Sequence, residues 1–404
     1  MKDKRLHRTL VFAVIDSLKL IFNDNRYASK VVEKVLKRDK RWGSRDRKFI
    51  AETIYEMVRW KRLYNEIAGT KEHYTAENLW KNFAVFAVLK GYQLPDWNQF
   101  IDTPVRKIKG RFDELSKIRK FKESIPDWLD ELGVKEIGEN WDKEIHALNQ
   151  QAKVILRVNS LKTNKLKLQK DLLAEEIETI ILENYPNALE LVERKNVFKT
   201  EAFQNGHFEV QDASSQLVAS FLDVKEGMRV IDTCAGAGGK SLHLASLMNN
   251  KGQIIALDIY GNKLKELKRR AKRNGAHNIE TRTIESSKTI KKLKNSADRV
   301  LIDAPCTGLG VLRRNPDSKW KMEPDFMANI IKTQAEILEN YSKLVKVGGK
   351  LVYATCSIFP SENENQVAKF LENNKNFKFE EELKVSPAKS GYDGFYMALL
   401  ERVE

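Results

Sequence analysis

Two cysteines of this chain follow predicted strands and are suited to covalent chemistry. Cys306 follows the strand predicted at 299–303, and Cys356 follows the strand predicted at 350–355. Loops at the carboxyl ends of parallel strands meet at one edge of a sheet, so we expect both thiols to face one pocket. The chain has 3 cysteines, an odd, sparse set that argues against disulfides and lacks the paired spacing of a zinc site. Any of them could instead be a small buried hydrophobe, and for Cys234 that alternative is preferred.

A glycine-rich turn follows the strand predicted at 228–232. Residues 232–241 read DTCAGAGGKS, and glycines let a ligand approach the backbone closely. Asp258, at the end of the next predicted strand, is placed to accept hydrogen bonds from ribose hydroxyls. A glycine-rich first turn with an acid after the second strand indicates a nucleoside cofactor, although dinucleotide-binding folds share the pattern.

The end of this turn also resembles a phosphate-binding P-loop. Gly239-Lys240-Ser241 has its closing residues, and the strand predicted at 299–303 ends in an acid that could hold magnesium. The P-loop pattern needs a glycine five positions before Gly239, where Cys234 stands, so the motif fails. A magnesium-dependent NTPase is kept as a minor alternative.

A thiol beside a nucleoside cofactor suits methylation of cytosine at C5. That carbon is a poor nucleophile until a thiolate adds to C6, which converts the ring to an enamine able to attack a methyl sulfonium. An acid can stabilise the adduct through the ring N3, and a base must remove the C5 proton before the thiol leaves. Asp303 and Lys240 are expected near the thiols, and a nearby cation would lower the thiol pKa from its ordinary value of about 8.5.

The elements that position these groups alternate strand and helix from about residue 224. Strands are predicted at 228–232, 253–258, 279–284, 299–303 and 350–355, and helices at 240–248, 263–274 and 326–345. Repeated βα units predict a parallel sheet flanked by helices. Upstream, residues 1–140 carry apolar stripes at helical spacing, such as Leu10, Val14 and Leu18, and predict a helical domain. Residues 141–222 predict a small α+β module.

The charge of the chain favours a polyanionic partner. Its 71 Lys and Arg against 56 Asp and Glu give a net charge of +15, which a well-solvated surface could also explain, but nucleic acid is the favoured partner. No apolar run approaches the roughly 20 residues of a membrane-spanning helix. The charged start, residues 1–8, lacks the apolar stretch of a signal peptide. We therefore expect a cytoplasmic protein without a membrane partner, and its 6 scattered histidines predict no metal site.

In these motifs the sequence resembles the RsmB/Nop/Sun family of RNA 5-methylcytosine methyltransferases. Motifs that match in order are far more specific than any one of them. The matching stretches are 211–215 (QDASS), 232–240, Asp258, 303–310, 313–317 (RRNPD), Gly348-Gly349, 352–357 (VYATCS) and 360–364 (PSENE).

The resemblance implies different roles for the two thiols. The cysteine of the Thr-Cys motif, Cys356, would be the nucleophile, and the cysteine of the Pro-Cys motif, Cys306, would serve release of the methylated product. Asp303 would contact the target ring and also lie near the cofactor. Lys240 completes the predicted catalytic set.

The resemblance also implies S-adenosylmethionine as the cofactor. Asp258 would bind its ribose, and Glu285 stands where the family usually has an aspartate near the adenine. The predicted cofactor-binding residues are Cys234, Ala235, Gly236, Ala237, Gly238, Gly239, Lys240, Asp258, Glu285 and Asp303. Two departures stand out: Gly236-Ala237 replace the usual Ala-Pro, which makes the loop more flexible, and Glu285 is one methylene longer than aspartate.

The other two regions extend the resemblance to nearly the whole chain. Residues 44–47 (SRDR) resemble part of the NusB-like RNA-binding domain of RsmB-type enzymes, and residues 156–159 (LRVN) resemble their RRM-like module. The implied fold is α/β: an all-helical NusB-like domain at 1–140, a linker helix and RRM-like α+β module at 141–222, and a Rossmann-like methyltransferase domain at 223–404.

The implied substrate is a cytidine of small-subunit ribosomal RNA, flipped or unpaired so that it reaches the thiol, and the chain is expected to be monomeric. A non-catalytic RNA-binding assembly factor that keeps the fold is the alternative.

Several further residues have both a functional and a structural interpretation. Arg313 and Arg314 are predicted to contact RNA phosphates, although pairing with surface acids would also explain them. Trp320 could stack on a base, but a core position is preferred. Ser361 and Glu364 have the spacing of a helix capping box.

Overall fold

The computed structural model describes residues 5–404, which form two compact units. Unit 1 comprises the chain up to Gln150 together with the segment Leu312–Glu323, and unit 2 comprises Gln151–Val311 and Pro324–Glu404. Residues 1–4, part of the charged start noted above, lie outside the described residues. The predicted border at residue 140 falls before a helix, Trp141–Leu148, that lies in unit 1.

Unit 1 is helical, as its apolar periodicity predicts. Leu10, Val14 and Leu18 are buried on one face of the first helix and pack into a common core, so the predicted stripe is confirmed. The similarity of this unit to NusB stays a prediction. Its helices are α1 (Arg8–Phe22), α2 (Ala28–Val35), α3 (Ser44–Arg59), α4 (Lys61–Ala68), α5 (Ala76–Leu89), α6 (Val105–Leu115), α7 (Arg119–Lys122), α8 (Asp127–Ile137), α9 (Trp141–Leu148) and α16 (Ser318–Lys321).

The segment 312–323 is built into unit 1 by specific contacts. Asp317 Oδ2 accepts a hydrogen bond from the Ala28 amide at 2.9 Å, where α2 begins. The Trp320 indole donates to the Val58 carbonyl oxygen at 2.7 Å, which gives this tryptophan the structural role preferred above. Lys319 is buried, and burial together with the charge of Arg59 holds its pKa well below the ordinary value.

Unit 2 begins with the predicted α+β module, which is confirmed. Its four strands form an antiparallel sheet in the order β2-β3-β1-β4. The last of these strands, β4, was not predicted. The elements are β1 (Ile155–Val158), α10 (Lys165–Ala174), β2 (Thr179–Ile181), β3 (Ala188–Leu191), α11 (Glu201–Gln204), β4 (Phe208–Val210) and α12 (Ala213–Phe221).

The rest of unit 2 is a seven-stranded sheet in the order β10-β11-β9-β8-β5-β6-β7. The elements are β5 (Arg229–Asp232), α13 (Gly239–Leu247), β6 (Gln253–Asp258), α14 (Gly261–Asn274), β7 (Ile279–Thr283), α15 (Ser287–Lys291), β8 (Ala297–Asp303), α17 (Pro324–Tyr341), β9 (Val345–Thr355), α18 (Glu364–Asn373), β10 (Phe377–Val385), α19 (Pro387–Ser390) and β11 (Phe395–Arg402).

Strands β5 to β9 of this sheet are parallel, as predicted, and the sheet has an apolar core on each face. Two further strands that were not predicted, β10 and β11, pair antiparallel at one edge of the sheet. The predicted capping box was wrong: α18 begins at Glu364 with Asn363 at its N-cap, and no side chain caps it.

Two kinds of feature are absent from residues 5–404. None of the described helices combines the length and the apolar character needed to span a membrane. No group of three or more His, Cys, Asp or Glu side chains in that range could hold a metal ion.

Candidate active site

The strand order creates a crevice where the chain reverses direction across the sheet. From β5 the chain proceeds outward through β6 and β7, then returns to place β8 on the other side of β5. Ligands in open α/β sheets bind beyond the carboxyl ends of the strands at such a switch point. The glycine loop follows β5, and the Pro-Cys motif follows β8. Both predicted motifs therefore lie at this crevice.

The two predicted catalytic thiols lie in contact with each other. Strands β8 and β9 are parallel neighbours, with Asp303 opposite Ala354, so their following loops run side by side. This brings the Sγ atoms of Cys306 and Cys356 to 3.3 Å. Hydrogen bonding to Cys356 and burial raise the pKa of the Cys306 thiol well above its ordinary value. Cys306 therefore remains a thiol near neutral pH and can donate its proton toward Cys356 Sγ.

The predicted acid and cation form an ion pair beside these thiols. Lys240 Nζ lies 2.6 Å from Asp303 Oδ2. Burial lowers the pKa of Lys240, but the charge and hydrogen bond of Asp303, with a contribution from the charge of Cys356, outweigh it, so the net pKa is raised. The ammonium therefore stays charged and interacts with both the acid and the sulfur.

The glycine loop is shaped by a left-handed glycine and a carboxylate. Gly238 has φ of 88° and forms the N-cap of α13; a Cβ there would lie 2.4 Å from Leu267 Cγ, so only glycine fits. Asp258 accepts the Gly236 amide at 2.8 Å and the Tyr260 amide at 2.8 Å. Each carboxylate oxygen retains a second lone pair, which leaves Asp258 able to accept ribose hydroxyls.

The buried pair Asp232 and Ser241 supports the glycine loop at its two ends. Asp232, at the end of β5, accepts the Ser241 hydroxyl at 2.6 Å, and burial raises its pKa to about 7. Burial also raises the pKa of the Cys234 thiol, as expected for a packing cysteine. Ala235 donates its amide to the Leu257 carbonyl oxygen at 2.9 Å, which joins the loop to β6.

Three further predicted site residues belong to other segments of the chain. Glu285 is exposed and follows β7, and its proximity to adenine stays a prediction. Arg313 belongs to unit 1, where it is buried and donates to the Ala147 carbonyl oxygen at 2.9 Å. This burial argues against the predicted phosphate contact of Arg313. Arg314 is half-buried in the same segment.

The small module contributes charged residues that were not predicted to support the site. Arg157 on β1 and Glu209 on β4 are directly opposite each other, and both are buried. Arg157 Nη1 donates to the Gly239 carbonyl oxygen. Arg270 on α14 donates to the Ala237 carbonyl oxygen at 2.7 Å and to Glu209 at 2.9 Å. A charged residue inside the apolar strand VILRV is the one signal that could have indicated this support.

Family models match two parts of the chain. Residues 219–401 match the model described as 16S rRNA methyltransferase RsmB/F. Residues 125–198 match the ferredoxin-like domain of RsmF/B-like methyltransferases. The first match includes the glycine loop and both cysteine motifs, which sets the NTPase alternative aside.

Individual proteins show the same similarity. The "Probable ribosomal RNA small subunit methyltransferase B" of Bacillus subtilis (strain 168) is 38% identical over 263 residues, which are 63% of this chain and 57% of that protein. The ribosomal RNA small subunit methyltransferase B of Pasteurella multocida (strain Pm70) is 35% identical over 298 residues, 69% of this chain and 65% of that protein. The chain thus spans less than two thirds of these relatives.

A solved structure extends the similarity in fold. The crystal structure of PH0851 matches with a TM-score of 0.84 and 26% identity, covering 99% of this chain and 100% of that chain. Residues 125–198 and 219–401 thus match two successive domains of the RsmB/F family of methyltransferases.

Proposed function

We propose that this chain methylates C5 of a cytidine in small-subunit ribosomal RNA, with S-adenosylmethionine as methyl donor and Cys356 as nucleophile. The observation that carries the proposal is the thiol pair, 3.3 Å apart, beside the Lys240–Asp303 ion pair at the crevice that the glycine loop lines. A methyltransferase that acts on oxygen or nitrogen needs no such thiols. The names of the relatives support the substrate class.

The loop fits the proposed cofactor. Gly238 lets the backbone turn into α13 without a side chain. The amino terminus of this helix follows β5, and Asp258 ends β6, so both lie at the carboxyl edge of the sheet. When bound, S-adenosylmethionine supplies a methyl group on a positively charged sulfur. We propose that Cys234 to Lys240 line its binding site, with Asp258 on the ribose and Glu285 near the adenine.

The residues around the thiols suit an attack by Cys356. The protonated Cys306 lies 3.3 Å from this sulfur and can donate to it. The Lys240 ammonium, whose own pKa the charge of Cys356 helps to raise, supplies positive charge to the same site. The Cys356 Sγ–C6 bond forms first and breaks last, after the C5 proton has left. Asp303 is proposed to contact the ring edge. Cys306 is close enough to the adduct to act in its release.

The experiment is methyl transfer from labelled S-adenosylmethionine to small-subunit rRNA, offered both as naked RNA and as ribosomal particles. Wild type, Cys356→Ala and Cys306→Ala are compared side by side. We expect 5-methylcytosine from the wild type, none from Cys356→Ala, and a trapped covalent RNA adduct with Cys306→Ala, because that variant can attack but cannot complete release.

The other outcomes are equally informative. Activity that survives in Cys356→Ala would show that another group is the nucleophile. RNA binding without any methyl transfer, to either form of the substrate, would favour the non-catalytic assembly factor. Methylated cytidine at a position other than C5 would retain the family activity but reject the thiol mechanism.

A further inference from the structure

Glu362 is a fully buried carboxylate that lies between the loops of the two thiols. It ends the short turn Pro360–Glu362 that follows the Thr-Cys motif. Its own carbonyl oxygen accepts the Tyr353 hydroxyl of β9 at 2.8 Å. The backbone of Glu362 is thereby held against the strand that leads to Cys356.

Four donors converge on the two carboxylate oxygens of Glu362. The Thr307 amide donates to Oε1 at 2.8 Å, and the Thr307 hydroxyl donates to Oε2 at 2.6 Å. The Ser357 hydroxyl also donates to Oε2. Gln334 of α17 donates to Oε1 at 3.1 Å. An ionised carboxylate accepts about four hydrogen bonds, so this one is saturated.

The donors come from the residues next to the thiols. Thr307 directly follows Cys306, and Ser357 directly follows Cys356. One carboxylate therefore joins the two loops at positions only one residue away from each thiol. A buried charge is expensive unless it is hydrogen-bonded, and here every bond that satisfies Glu362 also fixes one of these loops or α17. The stability of the carboxylate and the position of the loops therefore depend on each other.

The Cys356 loop has a second, independent support. The Gly310 amide donates to the Cys356 carbonyl oxygen at 2.9 Å. A Cβ on Gly310 would lie 2.8 Å from that oxygen and 2.3 Å from the Gly394 carbonyl oxygen, so the backbones approach too closely for any side chain. The backbone of Cys356 is thus fixed, and the Cys306 loop is joined to it through Thr307 and Glu362.

We propose that Glu362 is a positioning residue that holds Cys306 and Cys356 at contact distance by binding the residue after each of them. Its effect on methyl transfer rests on the function proposed above, but its effect on the thiol separation does not. Glu362 touches neither thiol through a hydrogen bond of its own; it acts through Thr307 and Ser357.

The test measures thiol separation without catalysis. Phenylarsine oxide forms two As–S bonds with a close pair of thiols and releases one water, and a competing dithiol removes it. We compare wild type, Glu362→Gln and the control Glu364→Gln, whose carboxylate pairs with Lys384 at 2.8 Å instead. Cys306→Ser establishes that retention of the arsenical needs both thiols. Thermal unfolding of each variant establishes that it is folded.

We expect wild type and Glu364→Gln to retain the arsenical equally. In Glu362→Gln, a donor replaces one acceptor oxygen, and about tenfold less competing dithiol should release the arsenical because the effective concentration of one thiol at the other falls. The kcat for methyl transfer should fall about tenfold as the two thiols move apart, while the KM for S-adenosylmethionine stays unchanged.

If Glu362→Gln does not fold, Thr307→Val is the second variant. It removes the hydroxyl donor to Glu362 and keeps the amide donor, so it should show a smaller change in the same direction.

Three results would overturn the proposal. Wild type could retain no arsenical across the two thiols, folded variants could all retain it like wild type, or Glu362→Gln could lose kcat with unchanged retention. A wild type that transfers no methyl group but shows Glu362-dependent retention would reject the proposed function and leave the positioning role intact.

Discussion

The two thiols at the crevice touch each other, yet opposite charges surround them. The hydrogen bond to Cys356 and burial raise the pKa of Cys306, and the negative charge of the buried Glu362 carboxylate raises it further. Thr307, the residue after Cys306, binds that carboxylate. Cys356 lies within the electrostatic reach of the Lys240 ammonium. Negative charge beside the Cys306 sulfur disfavours a thiolate there. The surroundings therefore keep the proton on Cys306, as the role proposed for it requires.

Asp232 makes the stability of the chain depend on pH. Burial raises its pKa to about 7 in the folded state, whereas the pKa of an aspartate in an unfolded chain is about 3.9. Unfolding between these values therefore releases a proton. This group contributes most stability at low pH and loses it as pH rises through about 7, by up to roughly 1.4 kcal/mol per pH unit.

Asp232→Asn should remove this dependence, because an amide does not titrate. As pH rises from about 5 to about 8, we expect the unfolding free energy of the Asp232→Asn variant to increase relative to that of wild type, measured by urea denaturation at each pH. Asp325→Asn, at the solvent-exposed start of α17, is the matched control and should leave the slope unchanged. A variant whose stability follows the wild-type pH curve would contradict the buried, proton-holding state of Asp232.

At the scale of elements, the small module holds the glycine loop from outside the catalytic sheet. Arg157 and Glu209 lie on adjacent strands of that module, and Arg270 lies on α14. Burial alone would raise the pKa of Glu209, but the charges of Arg270 and Arg273 outweigh it and the net pKa is lowered. The resulting charged cluster donates to two carbonyl oxygens of a loop that lacks the proline of its family.

Removing Arg270 should weaken cofactor binding because the loop loses its preorganisation. We expect Arg270→Ala to raise the Kd for S-adenosylmethionine about tenfold, as measured by calorimetry without RNA. Arg269→Ala is the control, since Arg269 is largely exposed and pairs with Glu266 on the same helix. Equal Kd values for both variants would mean that the glycine loop is rigid without the hydrogen bond from Arg270.

The sequence predicted the parallel strands because each is a short apolar run between helices. It did not predict β4, β10 or β11. Strand β10 reads FKFEEELKV and is mostly exposed at the sheet edge, so it lacks a buried pattern on either face. Strand β11 reads FYMALLER and is a buried apolar run, but it lies outside the repeated βα pattern that identified the parallel strands. The roles of Glu362 and Glu209 could not be predicted, since only folding brings their partners to them.

At the scale of the whole molecule, the segment 312–323 belongs to the helical unit although its neighbours in sequence belong to unit 2. The sequence suggested an RNA contact here, because RRNPD is basic and the chain is strongly cationic. Side chains of the segment contact the helices: Asp317 accepts the Ala28 amide, and the Trp320 indole donates to the Val58 carbonyl oxygen. No local pattern could reveal this, because the partners of these side chains lie far upstream in the chain.

A chain that begins at Gln151 should therefore aggregate rather than behave as an independent catalytic domain. It retains 312–323 but lacks the helices that this segment contacts, so Trp320, which packs against their core, would face water. Light scattering and dye binding to exposed apolar surface would measure this. The same truncation with 312–323 replaced by a short glycine–serine linker is the comparison and should remain dispersed. Equal behaviour of the two truncations would show that the segment does not need unit 1.

The shared segment also sets the order in which the protein can be completed during synthesis. The helices of unit 1 leave the ribosome first, but residues 312–323 follow only after some 160 further residues, roughly 10 to 30 s later at usual rates of translation. For that interval the sites that receive Asp317, Lys319 and Trp320 stand open. The first unit to be made is thus finished only when β8 has already emerged, and protease digestion of chains stalled near residues 300 and 360 would detect the change.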